Sequence, residues 1–421
     1  MSKADIGTNG GNGLNCQDLN CNEQGFDDPS LKITSTDGAA PVQGAHKISV
    51  KHKTSLKKAS PRRSRVPILA PADSSLAKNK AFHTTLPMNG AKRRSQGSAF
   101  LGAKQTTLAG PLSLQGVGVH SGAPVSITLY PAEIDYGIRF AVKGEAGPVE
   151  IKAHRDWVKN LTLCTVLGSD CGALVATVEH LMAALRGLSI DNVLVEIDSG
   201  EVPIMDGSSL AFVEAFDDVG LVELEAPRRF IKVLKPVRVE EKGCFGELLP
   251  YNGFRLDVEI DFECAAIGRQ KFTSDMNPGV FRSELAKART FGFMADVEGL
   301  WASGRALGAS LDNTVAIDQE HQVLNPEGLR FADEFVRHKA LDAVGDLALS
   351  GQPLLCHYRS YRGGHALNAK VLEALFADDE AWVLVDAPMS DVVLEKQVDV
   401  YKDRAAGGAL VAAANFAADR S

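Results

Sequence analysis

The segment FVRHKALDAVGDL contains the strongest candidate metal-binding pattern in this chain of 421 residues. His338 and Asp342 are four residues apart, so on a helix both side chains lie on one face and can bind the same ion. An imidazole and a carboxylate at this spacing suit zinc. Asp346 continues the stripe by one turn, and Gly345 leaves space above the helix. The alternative interpretation is a solvent-facing helix in which His338 and Asp342 form a local ion pair.

A catalytic zinc ion needs three protein ligands and one open position for water. We predict that His180 is the third ligand, because Glu179 precedes it at the start of a predicted helix, where the dipole favours a neutral imidazole. Neighbouring residues of a helix point about 100° apart. Glu179 can therefore reach the water as a general base without binding the metal. A capped helix with two polar residues in its first turn is the alternative.

A glycine pair and two arginines accompany His365 in the segment CHYRSYRGGH. The glycines allow a ligand to approach the backbone closely, and Arg359 and Arg362 are suited to binding phosphate. His365 is therefore a candidate general acid towards a leaving group, and a surface histidine in a turn is the alternative. The other histidines considered are given no chemical role: His120, interpreted as structural within a hairpin turn, His321 and His357.

Hydrophobic periodicity predicts the elements that position these side chains. A helix is predicted over TVEHLMAALRGL, with Thr177 as its N-cap and Gly187 at its end, because apolar residues recur there at helical spacing. A long helix over 331–350 carries His338, and the segment 358–370 crosses a glycine turn into a further helix. The remaining predicted elements are a β-hairpin over 104–132, strands over 137–142, 192–197, 230–239, 254–262 and 381–385, and a helix over 208–219.

Both halves of the patterned chain mix strands and helices in similar order, which predicts an α+β fold of two similar domains. We place these domains at 104–227 and 228–400, followed by a C-terminal tail over 401–421. Residues 1–103 carry 15 Lys and Arg against 7 Asp and Glu, and they lack sustained periodicity. They are also rich in Gly, Ser, Asn and Pro, so we predict a disordered, basic N-terminal extension.

Composition and charge exclude several classes of protein. No apolar run approaches the ~18 residues of a membrane span, and the N-terminus lacks the basic and apolar regions of a secretory signal. Seven cysteines without a CxxC pair indicate neither a disulfide framework nor a structural zinc knuckle. Residues 104–421 have 30 basic and 46 acidic side chains, which argues against a nucleic-acid partner. The basic extension is suited to contact with an anionic membrane surface or with RNA.

Five longer segments follow one another in a characteristic order: TVEHLMAALRGLSIDNVLVEID, EVPIMDGSS, RTFGFM, LRFADEFVRHKALDAVGDL and GGHALNAK. In this order the chain resembles the family of UDP-3-O-acyl-N-acetylglucosamine deacetylases, zinc amidohydrolases of bacterial lipid A synthesis, from about Lys104 to about Ala387. The resemblance implies two domains, each a β-sheet packed on a pair of helices, with the active site between them. It also implies a zinc ion bound by His180, His338 and Asp342, and Fe²⁺ fits the same ligands.

The resemblance implies catalytic roles for five further residues. Glu179 would be the general base that activates water, and His365 the general acid that protonates the leaving glucosamine nitrogen. Asp346 would orient His365 as a hydrogen-bonded carboxylate. Thr290 would donate to the developing oxyanion, and Lys339 would face the site and favour negative charge there.

The resemblance also implies where the substrate binds. Leu163 and Thr165 match positions beside the acetyl group and the sugar, and Phe262 matches an aromatic residue under the nucleotide. Arg362 stands where the family often has a lysine that meets the pyrophosphate.

One departure from the family pattern affects the predicted diphosphate contact. Cys244 occupies a position where some members have a basic residue, and Lys242 is the substitute that we consider. The acyl chain is expected to run through an apolar passage built by residues 291–308, which include Trp301.

The implied reaction is hydrolysis of the N-acetyl group of UDP-3-O-[(3R)-3-hydroxyacyl]-N-acetylglucosamine. The products are UDP-3-O-acyl-glucosamine and acetate, and this is the committed step of lipid A biosynthesis. We expect a cytoplasmic monomer. The basic extension lies outside the resemblance, and its charge is what suits it to peripheral contact with the inner membrane. Three alternatives stay open. One is another zinc amidohydrolase or a zinc peptidase, although the chain has no HExxH. The second is an inactive homologue acting as a binding module, although ligands and base are present, and the third is a membrane-surface adaptor that acts through the basic extension and could coexist with the enzyme.

Overall fold

The computed structural model describes residues 102–144 and 147–387. The predicted basic extension, apart from residues 102 and 103, and the predicted C-terminal tail lie outside the described residues. Within them the chain forms β-sheets and helices around a hydrophobic core, so the predicted α+β class is confirmed. The division into two domains near residue 227 stays a prediction. No helix of the described ranges combines the length and the apolar character needed to span a bilayer.

The first half of the described chain is organised around a five-stranded sheet. The strands of this half are β1 (Lys104–Leu108), β2 (Leu112–Val117), β3 (Pro124–Pro131), β4 (Ile138–Gly144), β5 (Gly147–Lys152), β6 (Val158–Asn160), β7 (Val166–Gly168), β8 (Leu174–Val175), β9 (Val193–Ile197) and β10 (Leu221–Pro227). The sheet has the order β2-β3-β9-β4-β5, and its β9–β4 pair is parallel. In β3 the buried residues Val125, Ile127 and Leu129 alternate with more exposed ones, as the two-residue period of a strand requires.

The second half is organised around a seven-stranded sheet. The strands of this half are β11 (Arg229–Val233), β12 (Val237–Glu241), β13 (Cys244–Pro250), β14 (Phe254–Asp261), β15 (Arg269–Asp275), β16 (Phe291–Phe293), β17 (Val315–Ile317), β18 (Leu354–Tyr361) and β19 (Trp382–Asp386). The main order is β12-β13-β18-β11-β19, and β14 pairs with both β18 and β15. Because β18 pairs with β13, β14 and β11, it is the central strand. Its end leads directly into the glycine turn before His365.

The described chain also contains six helices, which pack on the sheets and on one another. They are α1 (Glu179–Gly187), α2 (Leu210–Val219), α3 (Pro278–Val280) with a π-helical turn over Phe281–Leu285, α4 (Met294–Ala302), α5 (Glu334–Leu347) and α6 (His365–Phe376), with 3₁₀ turns over Arg155–Trp157 and Ala348–Ser350. Apolar residues of α1 and α2 belong to the hydrophobic core that also contains the inner residues of β3 and β9. α5 packs on β14 and β15, and α6 packs on β12 and β13. α1 also packs directly on α5, and this contact joins the two halves.

The structure corrects the hairpin predicted over 104–132. β2 and β3 do form an antiparallel hairpin, but β1 pairs with β10 instead of β2. Pro111 lies between β1 and β2 and lacks the N–H that a continuous ladder would need. Arg228, which follows β10, is buried and donates to the carboxylate of Asp191 and to the hydroxyl of Thr106. These bonds hold β10 beside β1.

Three other predicted boundaries are also wrong. Thr177 is not the N-cap of α1, because its φ is +57° and its hydroxyl donates to Oε1 of Glu201 at 3.0 Å. The strand predicted over 230–239 is divided into β11 and β12, since Pro236 between them cannot donate a ladder hydrogen bond. The helix predicted over 331–350 consists of α5 and the 3₁₀ turn that follows it.

Candidate active site

The crossing of α1 and α5 depends on a residue without a side chain. A Cβ atom added at Gly345 would lie 2.1 Å from the backbone oxygen of Glu179, a separation that real Cβ atoms essentially never show. The space above Gly345 that the sequence indicated is therefore occupied by the first turn of α1. This contact brings Glu179 and His180 within reach of His338 and Asp342 on α5.

Three buried side chains converge where α1 meets α5. Oδ1 of Asp342 lies 3.4 Å from Nε2 of His338 and 3.6 Å from Nε2 of His180. Ligand atoms bound tetrahedrally to zinc at about 2.0–2.2 Å lie about 3.3–3.6 Å apart, so these separations fit one small divalent ion. The same oxygen is buried and accepts no hydrogen bond from the described residues, an unfavourable state for a carboxylate without a cation. The three side chains therefore fit a bound metal ion.

The surroundings of His338 leave one ring nitrogen available for a metal. Nδ1 of His338 lies 3.1 Å from the backbone oxygen of Ala288 and donates to it, so the lone pair is on Nε2. Burial lowers the pKa of His338 to about 4, and the imidazole is therefore neutral near pH 7, as a metal ligand must be. Lys339 places its Nζ 3.3 Å from Oδ2, the other oxygen of Asp342.

Glu179 and His365 form a buried pair next to these ligands. Oε1 of Glu179 lies 3.8 Å from Nε2 of His365, and each side chain is 4% exposed. Burial raises the pKa of Glu179 above its ordinary value, and the charge of His365 opposes that rise. Burial disfavours the charged form of His365, but the carboxylates of Asp346 and Glu179 outweigh it and raise the pKa of His365 to about 9. His365 is therefore protonated near neutral pH.

Asp346 connects this pair to the scaffold as a hydrogen-bond acceptor. Its Oδ2 accepts from Nδ1 of His365 and from Nδ2 of Asn368, both at 2.8 Å, and its Oδ1 accepts from the hydroxyl of Thr165 at 2.7 Å. The backbone N–H of Thr165 donates to Oε2 of Glu179 at 3.1 Å. Sequence reasoning missed Asn368. Its spacing of three from His365, at the start of α6, is the signal that would have found it.

The buried cluster opens into a cavity of about 490 Å³. Glu179, His365 and the three candidate ligands all line it. Four more predicted site residues also line it, namely Leu163, Phe262, Thr290 and Lys339. Much of the remaining wall is apolar and comes from α4 and the segment after it, including Val297, Leu300, Trp301, Ala306 and Leu311. One cavity thus combines a polar wall and an apolar wall.

Two predicted substrate-binding residues do not line the described cavity. Thr165 is fully buried, and its bonds go to Asp346 and Glu179. Arg362 lies in the turn between β18 and α6 with a φ of +53°, and its backbone N–H donates to the oxygen of Glu259. Cys244, where the chain departs from the family pattern, is buried at the start of β13.

His120 has a larger part in the cavity than its predicted structural role. It lines the cavity, and its Nδ1 accepts from the backbone N–H of Ala306 at 3.4 Å. The buried carboxylate of Glu201 holds its loop by accepting from the backbone N–H groups of His120 and Ser121, both at 2.9 Å. Glu201 also accepts from Thr177, two residues before Glu179, so it links this loop to the start of α1. Sequence reasoning gave Glu201 no role.

A buried ion pair holds the segment that contains Thr290. Nε of Arg289 donates to Oε1 of Glu334 at 2.9 Å, and both side chains have at most 1% of their surface exposed. Glu334 is the first residue of α5, so the pair fastens this segment to the helix that carries His338. The backbone N–H of Thr290 donates to the oxygen of Gly207 at 2.8 Å.

The site combines a donor set of two imidazoles and one carboxylate with a second carboxylate and a protonated imidazole beside it. This arrangement is typical of a metal-dependent hydrolase. Residues 105–377 match the family model of LpxC, UDP-3-O-acyl N-acetylglycosamine deacetylase. The curated UDP-3-O-acyl-N-acetylglucosamine deacetylases of Brucella ovis and Brucella canis are each 53% identical over 287 residues, which cover 68% of this chain and 100% of each relative. The deacetylase of Brucella melitensis is 52% identical over the same length. The chain belongs to the LpxC family, which is a family of metalloenzymes.

Proposed function

We propose that this protein is a zinc-dependent deacetylase that hydrolyses the N-acetyl group of UDP-3-O-[(3R)-3-hydroxyacyl]-N-acetylglucosamine. The products are UDP-3-O-acyl-glucosamine and acetate, and the reaction is the committed step of lipid A biosynthesis. Membership of the LpxC family supports the substrate. The observation that carries the proposal is that Glu179 and His365 line one cavity together with the set of His180, His338 and Asp342. A base, an acid and a metal-ligand set are what hydrolysis of an unactivated amide requires.

In the proposed reaction the chain's own groups move two protons. His180, His338 and Asp342 would hold a zinc ion, which would supply Lewis-acid polarisation of the acetamide carbonyl. Glu179 takes a proton from the attacking water while the new C–O bond forms. As the C–N bond breaks, its electron pair stays on the nitrogen, and His365 gives that nitrogen its Nε2 proton. The acetyl group leaves with the added O–H as acetic acid, which loses its proton to solvent and becomes acetate. Asp346 accepts from Nδ1–H of His365 throughout, so the ring keeps its orientation.

Thr290 and Lys339 are proposed to stabilise the charge that develops on the carbonyl oxygen. Both line the cavity, and Nζ of Lys339 lies beside the candidate ligand Asp342. Donors held in place before the reaction lower the energy of an oxyanion without reorganisation, which is the basis for this role. The segment anchored by Arg289 and Glu334 keeps Thr290 in place.

The two kinds of cavity wall suggest how an amphiphilic UDP-sugar binds. Leu163 and Phe262 are proposed to contact the sugar and the nucleotide, and the apolar wall around α4 is proposed to hold the acyl chain. Trp301, with 56% of its surface exposed, lies at this wall and would shape the end of the passage. Thr165 is proposed to act through Asp346, and Arg362 is proposed to meet the pyrophosphate.

Zinc is the proposed metal, and Fe²⁺ suits the same donors. We further propose a cytoplasmic monomer without a nucleic-acid partner, whose basic extension contacts the anionic inner membrane peripherally. In flotation with anionic liposomes, the full chain should be recovered in the liposome fraction, and a chain without residues 1–101 should not. Equal recovery of both chains would contradict the role of the extension.

Acetate release from the acylated UDP-N-acetylglucosamine by the purified chain tests the proposed function. We expect release that stops after chelation and returns when zinc is added. Binding of the substrate by the zinc-loaded chain without release would overturn the proposal in favour of an inactive homologue. Release from unrelated acetamides alone would identify another amidohydrolase.

The variant Glu179→Gln tests the proposed base. It keeps the size of the side chain and all three candidate ligands, so zinc content should stay unchanged while kcat falls roughly 10²–10⁴-fold. The matched control is Asp191→Asn, since Asp191 is a carboxylate with 9% of its side chain exposed that pairs with Arg228 away from the cavity lining. The control should retain kcat. Loss of zinc from Glu179→Gln would identify Glu179 as a ligand instead of a base.

A further inference from the structure

A buried amide on α6 has no part in the reaction proposed above. Asn368 is buried, and its Nδ2 donates to Oδ2 of Asp346, the same oxygen that accepts Nδ1–H of His365. Oδ1 of Asn368 accepts from the hydroxyl of Tyr358, a fully buried residue of the central strand β18. A chain of hydrogen bonds therefore runs from the second sheet to the proposed general acid.

The partners determine which way this amide points. Asp346 accepts three hydrogen bonds and donates none, so the NH₂ group of Asn368 must face it. The amide oxygen then faces Tyr358, whose hydroxyl is the donor that it needs. A reversed amide would place two oxygens in contact with no proton between them in a buried site, which is unfavourable. Tyr358 and Asp346 thus hold the amide in one orientation.

We propose that Asn368 is a positioning residue, whose N–H holds Asp346 as the acceptor of Nδ1–H of His365 and thereby keeps Nε2 as the atom that delivers the proton. This inference rests on the proposed function. Asn368 is neither a candidate metal ligand nor part of the described cavity wall, so it acts through Asp346 alone. The charged or titratable groups that face His365 are the carboxylates of Glu179, Asp346 and Asp342 and the ring of His120.

Two substitutions separate the donated hydrogen bond from the space that the side chain fills. Asn368→Ala removes the donor, and kcat should fall about 10–100-fold at every pH with KM and zinc content unchanged. Asn368→Asp keeps the shape, and its carboxyl, buried beside Asp346, has a pKa above the ordinary value. While protonated it donates to Asp346 as the amide does, so kcat should match the wild type at the acid end of the pH range. As it ionises, kcat should fall.

A proton NMR signal provides a readout that does not depend on turnover. The Nδ1–H of His365 should give a downfield, slowly exchanging resonance in the metal-free and in the zinc-loaded wild-type chain. The signal should be lost in Asn368→Ala and present in Asn368→Asp at acid pH. This measurement decides the inference even if the wild type releases no acetate, so a failure of the proposed function stays distinguishable.

The matched control is Asn192→Asp. Asn192 is equally buried, and its Nδ2 donates to Oε1 of Gln105 at 3.0 Å, away from the cavity wall. This variant should lose stability but keep kcat, its pH profile and the His365 resonance. The inference is overturned if Asn368→Ala retains kcat and the resonance, or if Asn368→Asp is no better than Asn368→Ala at acid pH. It is also overturned if Asn192→Asp shows the same losses, because they would then reflect general destabilisation.

Discussion

One methyl group added at Gly345 should separate the two halves of the candidate metal site. In the helix crossing, the new Cβ would lie 2.1 Å from the backbone oxygen of Glu179 and 2.8 Å from its carbonyl carbon. Reaching 3.0 Å, the lower limit for real Cβ contacts, from 2.1 Å requires a retreat of 0.9 Å. The obstructing atoms belong to the backbone, so the first turn of α1 must move as a unit.

This movement acts directly on the distances within the site. His180 lies on α1 and Asp342 on α5, so the shift would open the 3.6 Å separation between their facing atoms. A misplacement of about 1 Å can lower a rate about 10²-fold, and overpacking a core costs about 1–3 kcal/mol of stability. Alanine favours a helix over glycine by about 1 kcal/mol. The substitution itself therefore favours the helix, so any net loss of stability in Gly345→Ala comes from the overpacked crossing of α1 and α5.

Zinc titration, thermal unfolding and acetate release measure these effects in Gly345→Ala. We expect weaker zinc binding, a lower melting temperature and a kcat about 100-fold below the wild type. Gly299→Ala in α4 is the matched control, because no heavy atom lies within 4 Å of the Cβ added there. It should keep zinc affinity and stability. If both variants bind zinc as the wild type does, the crossing does not require glycine and the reasoning is refuted.

Two further predictions concern the proposed acid and a buried ion pair. The kcat should fall as pH rises through about 9, because the acid form of His365 is lost above its raised pKa. Asp346→Asn removes a charge that raises this pKa, so the alkaline limb of the kcat profile should move to lower pH, and an unmoved limb would contradict the assignment. Arg289→Ala leaves Glu334 buried without its partner and should lower the free energy of unfolding by about 3–5 kcal/mol. A denaturant midpoint equal to that of the wild type would speak against this.

Local sequence patterns predicted which helices and strands form better than they predicted where these elements begin and end. The alternation in β3 and the helical period of α1 involve neighbours in the chain, so the sequence alone indicates them. Distant partners decided the exceptions. Thr177 is not the N-cap of α1, because its hydroxyl donates a hydrogen bond to Glu201. β1 pairs with β10 instead of β2, and Arg228, which follows β10, donates to the hydroxyl of Thr106 in β1. A pattern limited to one segment contains no information about such partners.

The same difference applies to the candidate site. The sequence by itself determined that His338 and Asp342 share a helix face and that Glu179 precedes His180, since a helix sets these relations through its own geometry. Three features of the site depend on the packing of α1 and α6 on α5. They are the single donor set that these histidines and Asp342 form, the 3.8 Å separation of Glu179 and His365, and the hydrogen bond from Asn368 to Asp346. That packing was decided by the tertiary structure, because only there does the backbone of Glu179 occupy the space that Gly345 leaves open.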